Sequence, residues 1–185
     1  MAIFYSESIN KIKKNKARLE KELKVKLAFS GKNISIESED GNAIEEFVAE
    51  RAIESLELGF NLQHVLLLKD EDFILEKIHI KNFTKRHDLE RIRARIIGTQ
   101  GKTKSIIQDL SDCFLSLHEN TVGIIGRAED IKKAIRAIES IIQGRKQGKV
   151  YSYLERLRSK EKLKIHEDLG LKIKEKKKKS KRINF

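Results

Sequence analysis

The sequence predicts an α+β fold made of two small units that repeat one order of elements. Residues 8–58 and 73–144 each place helical periodicity around a pair of strand-like segments. In the second unit two glycines, Gly98 and Gly101, separate two helical segments, and a strongly basic stretch follows that unit. A chain of 185 residues has room for one or two domains of this size.

The first unit is predicted to be helix, strand, strand, helix. A basic helix over residues 8–22 carries apolar positions at helical spacing, and residues 25–29 and 34–37 alternate as strands around a Gly31 turn. Asn42 is a good N-cap for a helix that extends to about residue 58. Its apolar side chains are expected to face inward: Ile44, Phe47, Val48, Ala52, Ile53 and Leu56.

The second unit begins with a strand over residues 73–80, which are rich in Ile and Phe. A helix over residues 88–97 leads into the two glycines, and a second helix follows with Ile106, Ile107 and Leu110 at helical spacing. Residues 113–117 and 121–126 are predicted strands, and Cys113 is expected to be a small core residue. A last helix spans residues 128–142, after which Gly144 is a stop signal.

The sequence Gly98-Thr99-Gln100-Gly101 is the most informative stretch of the chain. Glycine lets two backbones approach closely, and the opening amides of the next helix favour an anion such as phosphate. In the order β-α-loop-α-β-β-α, this is the Gly-x-x-Gly loop of a type I KH domain, which clamps about four nucleotides of single-stranded nucleic acid. Glycine at a helix-turn-helix joint is common by itself, so the prediction depends on the surrounding elements.

The first unit would then be a degenerate KH domain without this loop, because residues 10–13, at the equivalent position, contain no glycine. Two interpretations stay open there. The first unit supports the second, or its lysines still attract phosphate from a distance. The expected organisation is therefore two tandem type I KH domains and a basic C-terminal helix and tail. Its boundaries are a degenerate KH domain at 1–60, a linker at 61–72, a KH domain at 73–144, a helical extension at 145–166 and a basic, disordered tail at 167–185.

Charge is distributed unevenly along the chain. Residues 145–185 contain 16 Lys or Arg against 5 Asp or Glu, whereas residues 35–80 contain 3 against 12. A basic second half beside an acidic middle suits a nucleic-acid binder that keeps one face for another role. A solubilising tail and plain solvated acidic helices are the alternatives.

In the predicted groove, Gly98 and Gly101 admit the sugar-phosphate backbone, while Lys102 and Lys104 neutralise phosphate charge. Thr103 is expected to donate a hydrogen bond to phosphate, and Ile97 and Ile106 are expected to form an apolar floor. Arg93 and Arg95 are expected to flank the groove. The candidate RNA-binding residues are Arg93, Arg95, Ile97, Gly98, Thr99, Gln100, Gly101, Lys102, Thr103 and Lys104.

Other classes of protein are not supported by the sequence. The five histidines lack metal-ligand spacing, and the glycine loop is not a nucleoside-triphosphate-binding motif. No convergent catalytic residues stand out. We therefore expect no catalytic activity, no metal and no cofactor. A single cysteine excludes an internal disulfide, and no apolar run is long enough to cross a bilayer. We expect a cytoplasmic protein without a membrane partner.

The sequence resembles a family of tandem-KH proteins found throughout archaea and related to the eukaryotic rRNA-processing factor called partner of Nob. The resemblance rests on residues 59–60, 67–76, 95–103 and 148–155. In the last stretch Gln147 and Tyr153 replace the His and Phe usual in the family, and the first unit lacks the glycine loop that archaeal members keep. The resemblance implies binding to single-stranded small-subunit rRNA near its 3′ end, beside a Nob-type PIN-domain endonuclease that makes the final cut.

The leading hypothesis is thus an RNA-binding assembly factor of the small ribosomal subunit. One alternative is a KH module that delivers RNA to a degradation or translation complex. Another is a protein-interaction scaffold, in which the acidic first half binds a partner and RNA binding is incidental.

Overall fold

The computed structural model describes residues 2–6, 8–85 and 87–168. The basic tail expected at residues 167–185 lies almost wholly outside these ranges. Elements of the first unit, in chain order, are β1 (Ala2–Tyr5), α1 (Ile9–Leu23), β2 (Val25–Ser30), β3 (Asn33–Ser38) and α2 (Ala43–Glu57). Those of the second unit are β4 (Phe73–His79), α4 (Leu89–Ile97), α5 (Lys102–Ser111), β5 (Phe114–His118), β6 (Thr121–Arg127) and α6 (Ala128–Ile142). A short helix, α3 (Leu62–Val65), lies between the units, and α7 (Gln147–Asp168) follows them.

Each unit contains a three-stranded antiparallel sheet with the same strand order. The first sheet has the order β1-β3-β2 and the second β4-β6-β5, so the strand that comes last in the chain lies in the middle. In the second sheet Gly123 of β6 is paired with Lys77 of β4 on one side and Ser116 of β5 on the other. With its two helices before β5, the second unit has an α+β fold of the KH type.

Strand β1 is an addition to the prediction, which began the first unit at its helix. Ala2–Tyr5 pairs with β3, with Ala2 opposite Ile36 and Tyr5 opposite Asn33. The segment is only four residues long, and its strand conformation depends on hydrogen bonds to a strand some thirty residues later. Local pattern alone therefore gives little sign of it.

Two apolar residues of α2 are exposed, so the prediction that they face inward is wrong. Ile44 is 69% exposed and Phe47 is 56% exposed, although both were expected to face inward. The buried face of α2 instead consists of Ala49, Ala52, Ile53, Ser55 and Leu56. The start of α2 is tied to the end of β3, where the Ser38 hydroxyl donates to Glu45 at 2.7 Å, and burial begins only at Ala49.

The two faces of the second sheet are covered by different elements. Side chains alternate along a strand, and one face of β5 and β6 packs under α4–α6 through Leu115, Val122 and Ile124. On the other face, Ile125 joins the core of the first unit, and Phe73, Leu75 and Phe114 pack against that core. The Ser116 hydroxyl donates to the Leu58 carbonyl across this junction at 2.7 Å, so the first unit covers the back of the second sheet.

Residues 61–72, described as a linker in the sequence analysis, contain α3 and a 3₁₀ turn over Leu66–Lys69. Val65 and Leu68 are buried in the core of the first unit. Cys113 is buried as expected, but it lies just before β5 rather than in it. In the described part of the chain, no helix is both long and apolar enough to span a bilayer.

Candidate nucleic-acid interface

The glycine loop joins α4 to α5 through a single tight turn. Gly98 ends α4 with φ 73° and ψ 173°, and its amide donates to the Ala94 carbonyl at 2.8 Å. Gln100 and Gly101 also have positive φ, at 52° and 78°. Gly101 is the N-cap of α5, and because it has no side chain, no side-chain hydrogen bond caps the helix there. The Gly101 and Lys102 amides donate to the Gly98 and Thr99 carbonyls within the turn, and the positive end of the α5 dipole has no capping side chain.

The two glycines serve different purposes in this turn. A Cβ on Gly98 would lie 2.1 Å from the Thr103 hydroxyl oxygen and 2.7 Å from the Thr103 amide nitrogen. A Cβ on Gly101 would meet no heavy atom within 4 Å. Gly98 thus lets the loop close onto α5, whereas Gly101 leaves open space on the outer side of the turn.

Thr103 lies beneath the loop and is only 3% exposed, which differs from the expectation that its hydroxyl contacts phosphate. Its hydroxyl oxygen accepts a hydrogen bond from Gln147 Nε2 at 2.9 Å and another from Tyr151 at 3.0 Å. Gln147 also donates to the Arg95 carbonyl at 2.9 Å. Thr103 is therefore a positioning residue that ties α5 to α7.

Sequence reasoning assigned Gln147 and Tyr151 no role in the loop, although both contact Thr103 in the structure. The available signal was the motif-like stretch from Gln147 to Glu155, which marked the segment without showing what it contacts. In the structure the first turns of α7 connect the end of α4 to the start of α5. The loop is held in place from the side opposite its open face.

The remaining predicted residues are brought together only in part. Thr99, Gln100 and Lys102 are exposed at the turn, and Lys104, two residues after Lys102, is half-buried. Ile97 is 39% exposed beside the loop, and Ile106 is half-buried on α5. All of these residues lie at the turn or on the two helices that flank it.

The two arginines of α4 point to different ends of the second unit. Arg95 donates to the Arg145 carbonyl at 2.7 Å, at the turn between α6 and α7. Arg93 instead lies near the turn between β5 and β6, with its guanidinium 3.4 Å from the Glu119 carbonyl. Arg95 therefore belongs to the loop region, while Arg93 lies on another side of the helix.

The edge of β5 borders the same surface. The Leu115 amide on this outer strand donates to Gln108 of α5 at 2.8 Å, which links the helix to the strand. His64 of α3 stacks on Phe114 with ring centroids 3.9 Å apart and an interplanar angle of 20°. Burial, together with the charge of Lys104, lowers the pKa of His64 below its ordinary value, so the imidazole favours the neutral form. The first unit thus supplies one side chain close to the predicted groove.

Comparison with known proteins identifies the same region. A family model for the second KH domain of PNO1 proteins, a eukaryotic-type KH domain of type I, matches residues 74–159. A KH domain-containing protein from Methanocaldococcus jannaschii is 31% identical over 149 residues, which cover 78% of this chain and 66% of that one. The pre-rRNA-processing protein PNO1 of Eremothecium gossypii is 33% identical over 111 residues, covering 58% and 42% of the two chains. The chain therefore spans just under two thirds of the first relative and under half of the second.

Solved structures of archaeal proteins show a similar fold. Dim2p from Pyrococcus horikoshii has a TM-score of 0.77 and 28% identity over 84% of this chain and 99% of that one. The same TM-score and identity hold for a complex of a/eIF2α, Dim2p and rRNA from that organism, over 86% of this chain and 94% of the matched one. The family model falls on the unit that carries the glycine loop. Together with the sequence relatives and the solved structures, it supports a PNO1/Dim2-like KH-domain protein.

Proposed function

We propose that this protein binds single-stranded RNA along the Gly98–Gly101 loop and acts in maturation of the small ribosomal subunit. The open space outside Gly101, at the uncapped N-terminus of α5, is the observation that carries the proposal. A sugar-phosphate backbone needs both close approach to the protein backbone and hydrogen-bond donors. The names of the relatives add support, since PNO1 is a pre-rRNA-processing protein and Dim2p has been solved in a complex with rRNA.

In the proposed clamp, the backbone of about four nucleotides passes over Gly101, at the positive end of the α5 dipole. Lys102 and Lys104 offset phosphate charge, and Arg95 adds a cation at the end of α4. Thr99 and Gln100 offer exposed polar atoms, while Ile97 and Ile106 supply apolar contact for bases. Thr103 acts from beneath by fixing the turn. Arg93, on another side of α4, would contact RNA only outside the loop region.

The first unit is proposed to be a degenerate KH domain over residues 1–60. Its strand order repeats that of the second sheet, but a single uninterrupted helix, α1, replaces the α4–loop–α5 arrangement. Residues 10–13 lie in the first turns of α1, and that backbone offers no glycine turn for a nucleotide to approach. We assign RNA clamping to the KH domain at 73–144 and a supporting role to the first unit. Residues 61–72 connect the two domains, and 145–166 and 167–185 form the extension and the basic tail.

The proposed RNA is the single-stranded 3′ region of small-subunit rRNA, and the proposed protein partner is a PIN-domain, Nob-type endonuclease. In this division of labour our protein binds RNA without catalysis, and the partner makes the cut in the cytoplasm. Ile44 and Phe47 favour a protein contact on the first unit, because both large apolar side chains are exposed on one helical turn. A pure scaffold would use that surface without needing the glycine loop.

The decisive experiment is fluorescence anisotropy with a labelled oligonucleotide from the 3′ end of small-subunit rRNA and a scrambled control. Gly101→Asp places a carboxylate where the phosphate would lie, and we expect at least a tenfold loss of affinity. Gly41→Asp is the matched control, since Gly41 also has positive φ (70°), and a Cβ there also meets nothing within 4 Å. Equal affinity of the wild type and Gly101→Asp for the oligonucleotide would refute the clamp and favour the scaffold.

A further inference from the structure

A cleft of about 600 Å³ lies between α6 and α7. Its walls are formed by one side of α6 and one side of α7. Arg136 and Glu139 come from α6, Lys149, Tyr153 and Arg156 come from α7, and Arg145 lies at the turn between the helices. Positions 149, 153 and 156 are spaced at i, i+4 and i+7, so they share one side of α7. The proposed glycine-loop groove does not include this cleft.

Four cations on this cleft form no ion pair with any residue that the structure describes. Arg136, Arg145, Lys149 and Arg156 are all exposed. Glu139 is an acidic side chain on the same wall, which leaves a net charge of +3 from these five residues. A cleft lined with one sign of charge concentrates ligands of the opposite sign.

Hydrogen bonds connect the rim of the cleft to α4 and α5, the two helices that flank the glycine loop. The Arg145 carbonyl at its rim accepts from Arg95 of α4, and two residues later Gln147 contacts both Arg95 and Thr103. Lys149 lies about 3 Å further along the helix axis than Gln147, and Arg156 about 10 Å beyond Lys149. A chain that leaves the loop on this side therefore meets successive cations.

A second cleft, bordered by the C-terminal half of α7, has a net negative charge. Its lining contains two cations, Arg127 and Lys164, and six carboxylates, from Glu71, Asp72, Asp112, Glu129, Asp130 and Glu161. A polyanion that leaves the glycine loop would be repelled by this surface and attracted by the cleft between α6 and α7. Charge thus distinguishes the two directions that a nucleic-acid strand could follow.

We propose that the cleft between α6 and α7 is a second RNA-backbone site, which binds the nucleotides that extend beyond the Gly98–Gly101 loop. This inference rests on the proposed function, since it lengthens the track of the same RNA. Arg145, Lys149, Arg156 and Arg136 contact successive phosphates, and the half-buried ring of Tyr153 offers a face to a base. RNA that fills only the loop does not reach the cleft.

The test compares labelled single-stranded RNAs of four and twelve nucleotides with the full chain. In the cleft variant, Lys149→Gln is combined with Arg156→Gln. In the matched control, Lys11→Gln is combined with Arg18→Gln, which removes one lysine and one arginine seven residues apart on an exposed side of α1. Both variants keep good helix formers and change net charge equally. Equal melting temperatures verify the fold of each.

We expect the cleft variant to lose roughly tenfold in affinity for the twelve-nucleotide RNA, with a salt slope shallower by about 1.4 for two lost phosphate contacts. Its affinity for the four-nucleotide RNA should stay within twofold of wild type. Equal losses in the cleft variant and the control, or equal losses on both RNAs, would overturn the extended site. If a polyglutamate peptide competes through Lys149 and Arg156 while RNA length makes no difference, the cleft binds an acidic protein instead. Wild-type protein that binds neither RNA would reject the proposed function itself.

Discussion

The Thr103 hydroxyl oxygen lies directly beneath Gly98, where a Cβ on residue 98 would come within 2.1 Å of it. The same oxygen accepts hydrogen bonds from Gln147 and Tyr151 of α7. One buried hydroxyl therefore determines both how closely the loop packs on α5 and where α7 docks. The outer side of the loop remains open because the contacts that hold it are all on the inner side.

Substituting each glycine with alanine should show that the inner side of the loop is closely packed and the outer side is open. Gly98→Ala combines a Gly-only backbone conformation with a clash against Thr103, and we expect it to cost roughly 3 kcal/mol or more. Gly101→Ala has only the strain of positive φ, about 1 kcal/mol. Melting temperatures from circular dichroism measure the difference, with Gly41→Ala as a control of similar φ in open space. Equal destabilisation by Gly98→Ala and Gly101→Ala would show that Thr103 does not pack as described.

Tyr151→Phe should loosen the loop without emptying the core. The change removes one hydrogen bond to the buried Thr103 oxygen, for which we expect about 1 kcal/mol. Hydrogen exchange of the amides of residues 99–102 should become faster, since α7 no longer holds the first turn of α5. Tyr153→Phe is the control, because in the described part of the chain the Tyr153 hydroxyl makes no hydrogen bond. Unchanged loop exchange in Tyr151→Phe would contradict the positioning role of Thr103.

Much of this arrangement could be predicted from the sequence because it depends on local patterns. The bounds of α6 match the prediction, since a continuous apolar stripe precedes Gly144. The bond between Tyr151 and Thr103 joins residues 48 positions apart, and no spacing rule connects them. Likewise, helical periodicity predicted that Ile44 faces the core, but whether another part of the fold covers that position is a long-range feature. Both features depend on contacts between residues far apart in the chain, which local sequence patterns do not show.

Lowering the pH should weaken the contact between His64 and Phe114. Because burial and the Lys104 charge depress the pKa of His64 in the folded protein, the unfolded chain binds the proton more readily as pH falls below about 6.5. This histidine's contribution to stability is therefore full at pH 7 and lost on acidification. Between pH 7 and pH 5, we expect the melting temperature of the wild type to fall further than that of His64→Phe.

A second histidine tests whether this pH effect is specific. His87 is exposed, so His87→Phe should keep the pH dependence of the wild type. If His64→Phe and wild type lose stability in parallel, His64 is not the titrating group. A wild type that gains stability relative to His64→Phe on acidification would reverse the sign and reject the stacked, desolvated arrangement.

The thiol of Cys113 should report on the integrity of the second unit. It is 2% exposed, and burial raises its pKa to about 12, so at pH 8 only about one molecule in ten thousand carries the reactive thiolate. We expect a disulfide reagent such as dithionitrobenzoate to react at the rate at which the core opens, and at once in denaturant. Because Gly98→Ala weakens packing in the same unit, its thiol should be modified faster than that of Gly41→Ala. Rapid modification of the native wild type would place Cys113 on the surface and contradict the packing of α5 against β5.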